Sequence, residues 1–148
     1  MAKVFVMCGV PGSGKSFAAQ NLATVGGYEI ISSDAIRTDL YGDESIQGKP
    51  SEVFEAFYNK AHEAISQGNG VILDATNIKR KDRRKVFAEF PNETIIAVIV
   101  NTPLETCIER NAKRSRVVPE HVIRRMWHNF EVPTIEEGFN SIIYTNPQ

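Results

Sequence analysis

The residues best suited to chemistry form one short run near the start of the chain, Gly9-Val10-Pro11-Gly12-Ser13-Gly14-Lys15-Ser16. The pattern G-x-x-x-x-G-K-[ST] stands after an apolar run and before a helical one, the context that such a loop requires. Its glycines let backbone N–H groups converge on phosphate oxygens. The helix that follows turns its positive N-terminus towards them. Lys15 is expected on the β- and γ-phosphates and the Ser16 hydroxyl on Mg²⁺. Gly9, Pro11, Gly12, Ser13 and Gly14 make the cradle, with Phe17 just beyond it. The ligand implied is a nucleoside triphosphate.

Further chemistry-bearing residues stand where other apolar runs end. The second run leads into Ser32-Ser33-Asp34-Ala35-Ile36-Arg37. Arg37 is one helical turn from Asp34 and on the same face. A carboxylate there can take the proton of an acceptor hydroxyl, and an arginine beside it can hold an anionic acceptor. Asp34 suits a helix cap equally well. The third run ends Leu73-Asp74-Ala75-Thr76-Asn77. Asp74 resembles a Walker B carboxylate, which orients Mg²⁺ or its water ligands. Thr76 and Asn77 add polar groups at that edge; the alternative is a strand-to-helix turn capped by Asn77. Lys79-Arg80-Lys81-Asp82-Arg83-Arg84-Lys85 holds six bases in seven residues, either a solvated helix face or a surface that tracks phosphates. Arg110-Asn111-Ala112-Lys113-Arg114-Ser115-Arg116 lies between two helical patterns and reads as a lid over residues 110–118. Arg110 and Arg114, four apart, can face one site and stabilise a phosphoryl group in transfer.

The elements that must position these residues alternate in type. Apolar runs at Val4–Cys8, Tyr28–Ile31, Val71–Leu73, Ile95–Val100 and Ile142–Tyr144 are short, as in strands buried on both faces. Helical patterns cover Ser16–Thr24, Ser51–Gln67, Arg80–Phe90, Pro103–Asn111 and Pro119–Phe130. Strand alternating with helix predicts an α/β fold with a parallel sheet and helices on both faces. Ligands then bind beyond the carboxyl ends of the strands. The 148 residues, 42% apolar and 24% charged, suit one globular domain, residues 1–148. No run of 18 apolar residues offers a membrane span, and the N-terminus reads as a first strand rather than a signal peptide. Cys8 and Cys107 are therefore expected to be reduced thiols of a cytoplasmic protein, with no disulfide partner. The three histidines do not cluster with them. Net charge is −1, yet Lys79 to Arg125 carries 12 Lys/Arg against 6 Asp/Glu. Charge segregated in this way favours anionic partners.

Taken together, these residues resemble the kinase domain of 5′-hydroxyl polynucleotide kinases, of phage and of animal DNA-repair type. The resemblance runs through Gly9–Ser16, Asp34-x-x-Arg37, Asp74-Ala75-Thr76-Asn77, Arg110-Asn111-Ala112-Lys113-Arg114 and Val118-Pro119. It ends in Phe130-Glu131-Val132-Pro133-Thr134-Ile135-Glu136-Glu137-Gly138-Phe139. It implies a phosphate-loop kinase fold with a sheet of about five strands. It also implies transfer of the γ-phosphate of ATP to a 5′-hydroxyl end of DNA or RNA, with Mg²⁺. By position, Asp34 is the general base. Arg37 holds the acceptor phosphate, with Thr76 and Asn77 near it. Lys15, Arg110 and Arg114 hold the ATP phosphates, and Asp74 supports the metal or Arg37. The tail is expected to pack around the nucleotide side. Two positions depart from the family: Ser33 stands where a basic residue often precedes the catalytic Asp, and Ala35 where a second acid sometimes follows it. No appended phosphatase or ligase domain is read, so the expected chain phosphorylates ends without sealing them. A small-molecule kinase acting on an anionic alcohol is the main alternative, and a nucleotide-dependent switch is the other.

Overall fold

A computed structural model of the protein describes residues 1–43, 46, 48–114 and 116–145. Five strands, β1 (Lys3–Cys8), β2 (Glu29–Ser32), β3 (Val71–Asp74), β4 (Thr94–Val100) and β5 (Ser141–Thr145), form one parallel sheet in the order β2-β3-β1-β4-β5. Each contains one of the predicted apolar runs or most of it. Six helices connect them: α1 (Lys15–Gly26), α2 (Ser33–Tyr41), α3 (Pro50–Ser66), α4 (Arg80–Glu89), α5 (Leu104–Asn111) and α6 (Glu120–His128). The chain runs outward from β1 to one side, returns to β3, and then crosses to β4 and β5. The crevice at this reversal, beyond the carboxyl ends, is where a doubly wound sheet binds its ligand.

Both faces of the central strands are covered, so their side chains are apolar whichever way they point. On one face Val4, Val6, Cys8 and Leu73 pack under Val53, Phe57 and Ala61 of α3 and Val86 of α4. On the other, Phe5, Met7, Ile72 and Val98 pack under Ala19 and Leu22 of α1. Val10, Cys107 and Ile123 form a smaller cluster that joins the loop after β1 to α5 and α6. That loop lies directly on α5. Gly12 has φ +83°, and a Cβ there would land on the Cys107 carbonyl oxygen, so only glycine fits. Cys8 and Cys107 are buried free thiols, and burial pushes the Cys8 thiol up to about 12. No helix among the described residues is long and apolar enough to cross a membrane.

Two local readings differ from expectation. Residues 33–41 form α2, which the apolar periodicity does not announce. Its cap is Ser32, whose Oγ accepts from the Ala35 amide at 3.2 Å; Asp34 stands inside the first turn. Asn77 is not a cap either, since α4 starts from Lys79.

The tail is the larger correction. It packs on α4, not around the nucleotide side. Phe139 meets Phe87 edge-on, with ring centroids 4.9 Å apart. Arg83, one of the six bases read as solvated or phosphate-facing, is 0% exposed. Its Nε and Nη2 donate to Glu137 Oε1 and Oε2 at 2.8 and 2.9 Å. The tail locks this carboxylate in turn: Thr134 and Glu137 close a capping box around the 3-10 turn Ile135–Glu137, and the Thr134 amide donates to Glu137 Oε2 at 2.9 Å. Burial alone would raise the Glu137 carboxyl, but the hydrogen bonds from Arg83 and Thr134 and the charges of Arg83 and Arg80 outweigh it and hold the group below its ordinary range. An acid depressed in the folded state lends stability above its unfolded pKa and withdraws it as pH falls through the folded value. The urea midpoint of the protein should therefore fall as the pH drops below about 4.5. In Glu137→Gln that fall should be shallower, as urea titrations at stepped pH will show.

Candidate active site

The loop between β1 and α1 presents its expected groups to one pocket of about 280 Å³. Pro11, Gly12, Gly14, Lys15, Ser16 and Phe17 line it from the loop and the start of α1. Gly9 and Ser13 serve the loop from behind. The Gly9 amide donates to the Thr76 carbonyl at 3.0 Å, and the Ser13 carbonyl accepts from Thr102 Oγ1 at 2.6 Å. Lys15 Nζ donates to the Val10 carbonyl at 3.3 Å. Burial pulls the ammonium below its ordinary value, while the Asp74 carboxylate works in the opposite direction.

Asp74 ends β3 beside Ser32 of β2 and accepts a 2.9 Å hydrogen bond from Ser16 Oγ. Parallel pairing thus brings together two oxygen groups 58 residues apart in the chain. A hydroxyl beside a carboxylate suits Mg²⁺, which keeps water and phosphate oxygens as its other ligands. No group of three or more His, Cys, Asp or Glu side chains able to hold a metal exists among the described residues. The pair would therefore hold the ion together with the nucleotide rather than in a protein cage.

Asp34 and the arginines meet at the same pocket. Arg37 Nη1 donates to Asp34 Oδ1 at 3.1 Å and Arg114 Nη2 to Oδ2 at 3.0 Å; Arg116 Nη1 stands 3.7 Å from Oδ1. Arg110 also lines the pocket, from the last turn of α5. Arg116 is a site residue that the sequence reading did not single out. Its signal was its place in the basic stretch 110–116, two residues beyond Arg114. The expected lid stretch is tied at its ends: buried Asn111 donates through Nδ2 to the Val118 carbonyl at 2.6 Å and accepts from the Val118 amide at 3.1 Å. Ser115, within the expected lid, lies outside the described residues.

A larger cavity of about 750 Å³ adjoins the phosphate pocket along Ser33, Ala75, Thr76 and Arg116. Arg37, Lys81 and Lys85 give it basic character, and Phe54, Val122 and Met126 give it apolar wall. Burial pulls the Arg37 guanidinium below its ordinary value, helped by the charge of Arg116. Its Nε is buried without a hydrogen-bond partner. Phe54, read from its spacing as core, packs against the core and borders this cavity as well. Asn77 lines the cavity too, but its amide nitrogen donates to the Met7 and Ala75 carbonyls at 2.8 and 3.3 Å. The arrangement suits phosphoryl transfer: cations and backbone amides for the migrating group, a carboxylate within the cluster, and a separate basic cavity beside it.

A family described as an AAA domain matches residues 4–133. Over 95% of its length the chain is 25% identical to a bifunctional polynucleotide phosphatase/kinase of Schizosaccharomyces pombe, covering 32% of that protein. It is 25% identical to an L-seryl-tRNA(Sec) kinase of Methanococcus maripaludis over 88% of this chain and 53% of that one. It is 24% identical to a shikimate kinase of Clostridium botulinum over 93% and 79%. The chain thus spans between about a third and about half of the first two relatives. Among solved structures, a chain of the Pnkp1/Rnl/Hen1 RNA repair complex superposes with a TM-score of 0.76 at 19% identity, over 86% of this chain and 43% of that one. The match from Val4 to Pro133, most of the length, makes the chain a member of the AAA-domain family, and its relatives make it a phosphate-loop kinase domain.

Proposed function

We propose that this kinase domain transfers the γ-phosphate of ATP to the 5′-hydroxyl end of a DNA or RNA strand. The observation that carries the reading is the cavity beside the phosphate pocket. It joins an apolar wall of Phe54, Val122 and Met126 to a basic lining of Arg37, Lys81, Lys85 and Arg116. A terminal nucleoside followed by its phosphates has that combination of planar apolar body and negative charge. The relatives named for polynucleotides and for tRNA support an acceptor carried on nucleic acid.

In this reading Lys15, Arg110 and Arg114 supply positive charge to the phosphoryl oxygens, with backbone amides of the loop behind them. Mg²⁺, when bound beside Ser16 and Asp74, neutralises further charge on the phosphates. Asp34 takes the proton of the attacking hydroxyl. Arg114, which contacts Asp34 here, lies on the same pocket as Lys15 and moves to the phosphates as they bind. Arg37 and Thr76 hold the acceptor phosphate.

The reading of a small-molecule acceptor draws support from the shikimate kinase, 79% of whose length this chain covers. Labelled ATP decides between them. With Mg²⁺ and γ-labelled ATP, an oligonucleotide with a 5′-hydroxyl should take up label and a 5′-phosphorylated one should not. Label on a hydroxy acid alone would overturn the proposal. Asp34→Asn should lower kcat about 10²–10⁴-fold, measured at saturating ATP; an unchanged kcat would remove Asp34 as the base. Arg37→Ala should raise the KM of the oligonucleotide well above that of the parent while the KM of ATP moves little. Oligonucleotide affinity should fall with salt with a logarithmic slope of about −0.7 for each phosphate contacted on a single strand. A flat salt dependence would argue for a small acceptor.

A further inference from the structure

The turn after β3 stands between the two cavities. Ala75 and Thr76 line both the phosphate pocket and its larger neighbour, and Asp74 holds Ser16. The turn ends at Asn77, the one residue other than glycine with positive φ among those described, at +47°. A residue in that conformation persists where its surroundings over-determine it, and here three hydrogen bonds do. Asn77 Nδ2 donates to the Met7 carbonyl at 2.8 Å. The Gly9 amide donates to the Thr76 carbonyl at 3.0 Å. Arg83 Nη1 donates to the Asn77 carbonyl at 2.9 Å.

The third bond is set from far away. Arg83 has its other two nitrogens fixed on Glu137. A guanidinium is a planar fork, so two fixed nitrogens dictate where the third one points. Glu137 is itself held by the Thr134 amide and has Arg80 Nε at 3.6 Å. A rigid path therefore runs from the tail through Glu137 and Arg83 to the Asn77 carbonyl. A buried ion pair is weak evidence for stability alone, and fixing one orientation is a use that an apolar pair could not serve.

We infer that Arg83 and Glu137 are positioning residues for the turn 74–77, and through it for the groups that face phosphate and acceptor. The part that concerns the acceptor rests on the function proposed above. The first experiment needs no acceptor: amide hydrogen exchange on ¹⁵N-labelled protein in Arg83→Lys. Lysine keeps the charge for Glu137 but has no fork with which to reach Asn77. Exchange at the Gly9 amide should accelerate at least about tenfold while amides of Ile96 and Val98 in β4 stay within about twofold. Phe87→Leu loosens the same contact between tail and helix without touching Asn77. It should lower the Tm and leave Gly9 exchange moving only in step with β4. Equal acceleration at Gly9 and β4 in Arg83→Lys would mean global destabilisation and would overturn the inference. Should Arg83→Lys fail to fold, Glu137→Asp, which draws the guanidinium towards the tail by one methylene, carries the same expectation. Transfer kinetics test the second half. Arg83→Lys should raise the acceptor KM about tenfold and the KM of ATP by a smaller factor; an unchanged acceptor KM would overturn that half. If the parent protein transfers nothing to an oligonucleotide, the proposed function falls, and the exchange measurements still decide the positioning role.

Discussion

Like charges crowded into one small space set the terms for the rest of the site. Lys15, Arg110, Arg114 and Arg116 converge on the phosphate pocket, and Arg37 stands just behind it. Partly buried cations repel one another strongly where water cannot screen them. Two carboxylates offset that repulsion, and each comes from the carboxyl end of a different strand. Asp74 raises the Lys15 ammonium against the pull of burial. Asp34 ties Arg37 and Arg114 with one oxygen each and has Arg116 nearby. The parallel sheet makes this balance possible, because its order β2-β3-β1-β4-β5 puts the ends of β1, β2 and β3 side by side.

The same balance gives Asp34 two aspects. With its arginines paired, the carboxylate organises the wall of the pocket. In the proposed reaction phosphate oxygens compete for Arg114, and one oxygen of Asp34 is thereby released for the acceptor. Nucleotide and acceptor would then be linked through one charged group. In that reaction the link would be a coupling free energy between two ligands, with Arg114 as the element that changes partner.

The phosphate loop could be read from the sequence because its chemistry is local: eight consecutive residues carry their own backbone geometry, charge and hydroxyl. The strands could be read because a sheet buried on both faces needs unbroken apolar runs. Arg83 was harder to place, since six neighbouring bases look alike along a line. Helical phase separates them. Arg83, Val86 and Phe90 stand at i, i+3 and i+7, and all three are buried, so the arginine belongs to the inner stripe. The direction of the tail was not legible, because its partner for Glu137 lies 54 residues away. Helix α2 shows in the sequence only through the Asp34 and Arg37 spacing, because the capping serine, not an apolar period, marks its start.

Asn111 grips both polar backbone atoms of Val118, so the two ends of the stretch between them are held together. That closure places part of the ordering cost in the folding of the protein rather than in the arrival of an anion. Arg114 and Arg116 thus start from one tethered base, and each side chain stays able to change partner. An anion that draws one of them away from Asp34 does so without having to gather the ends of the stretch that carries both.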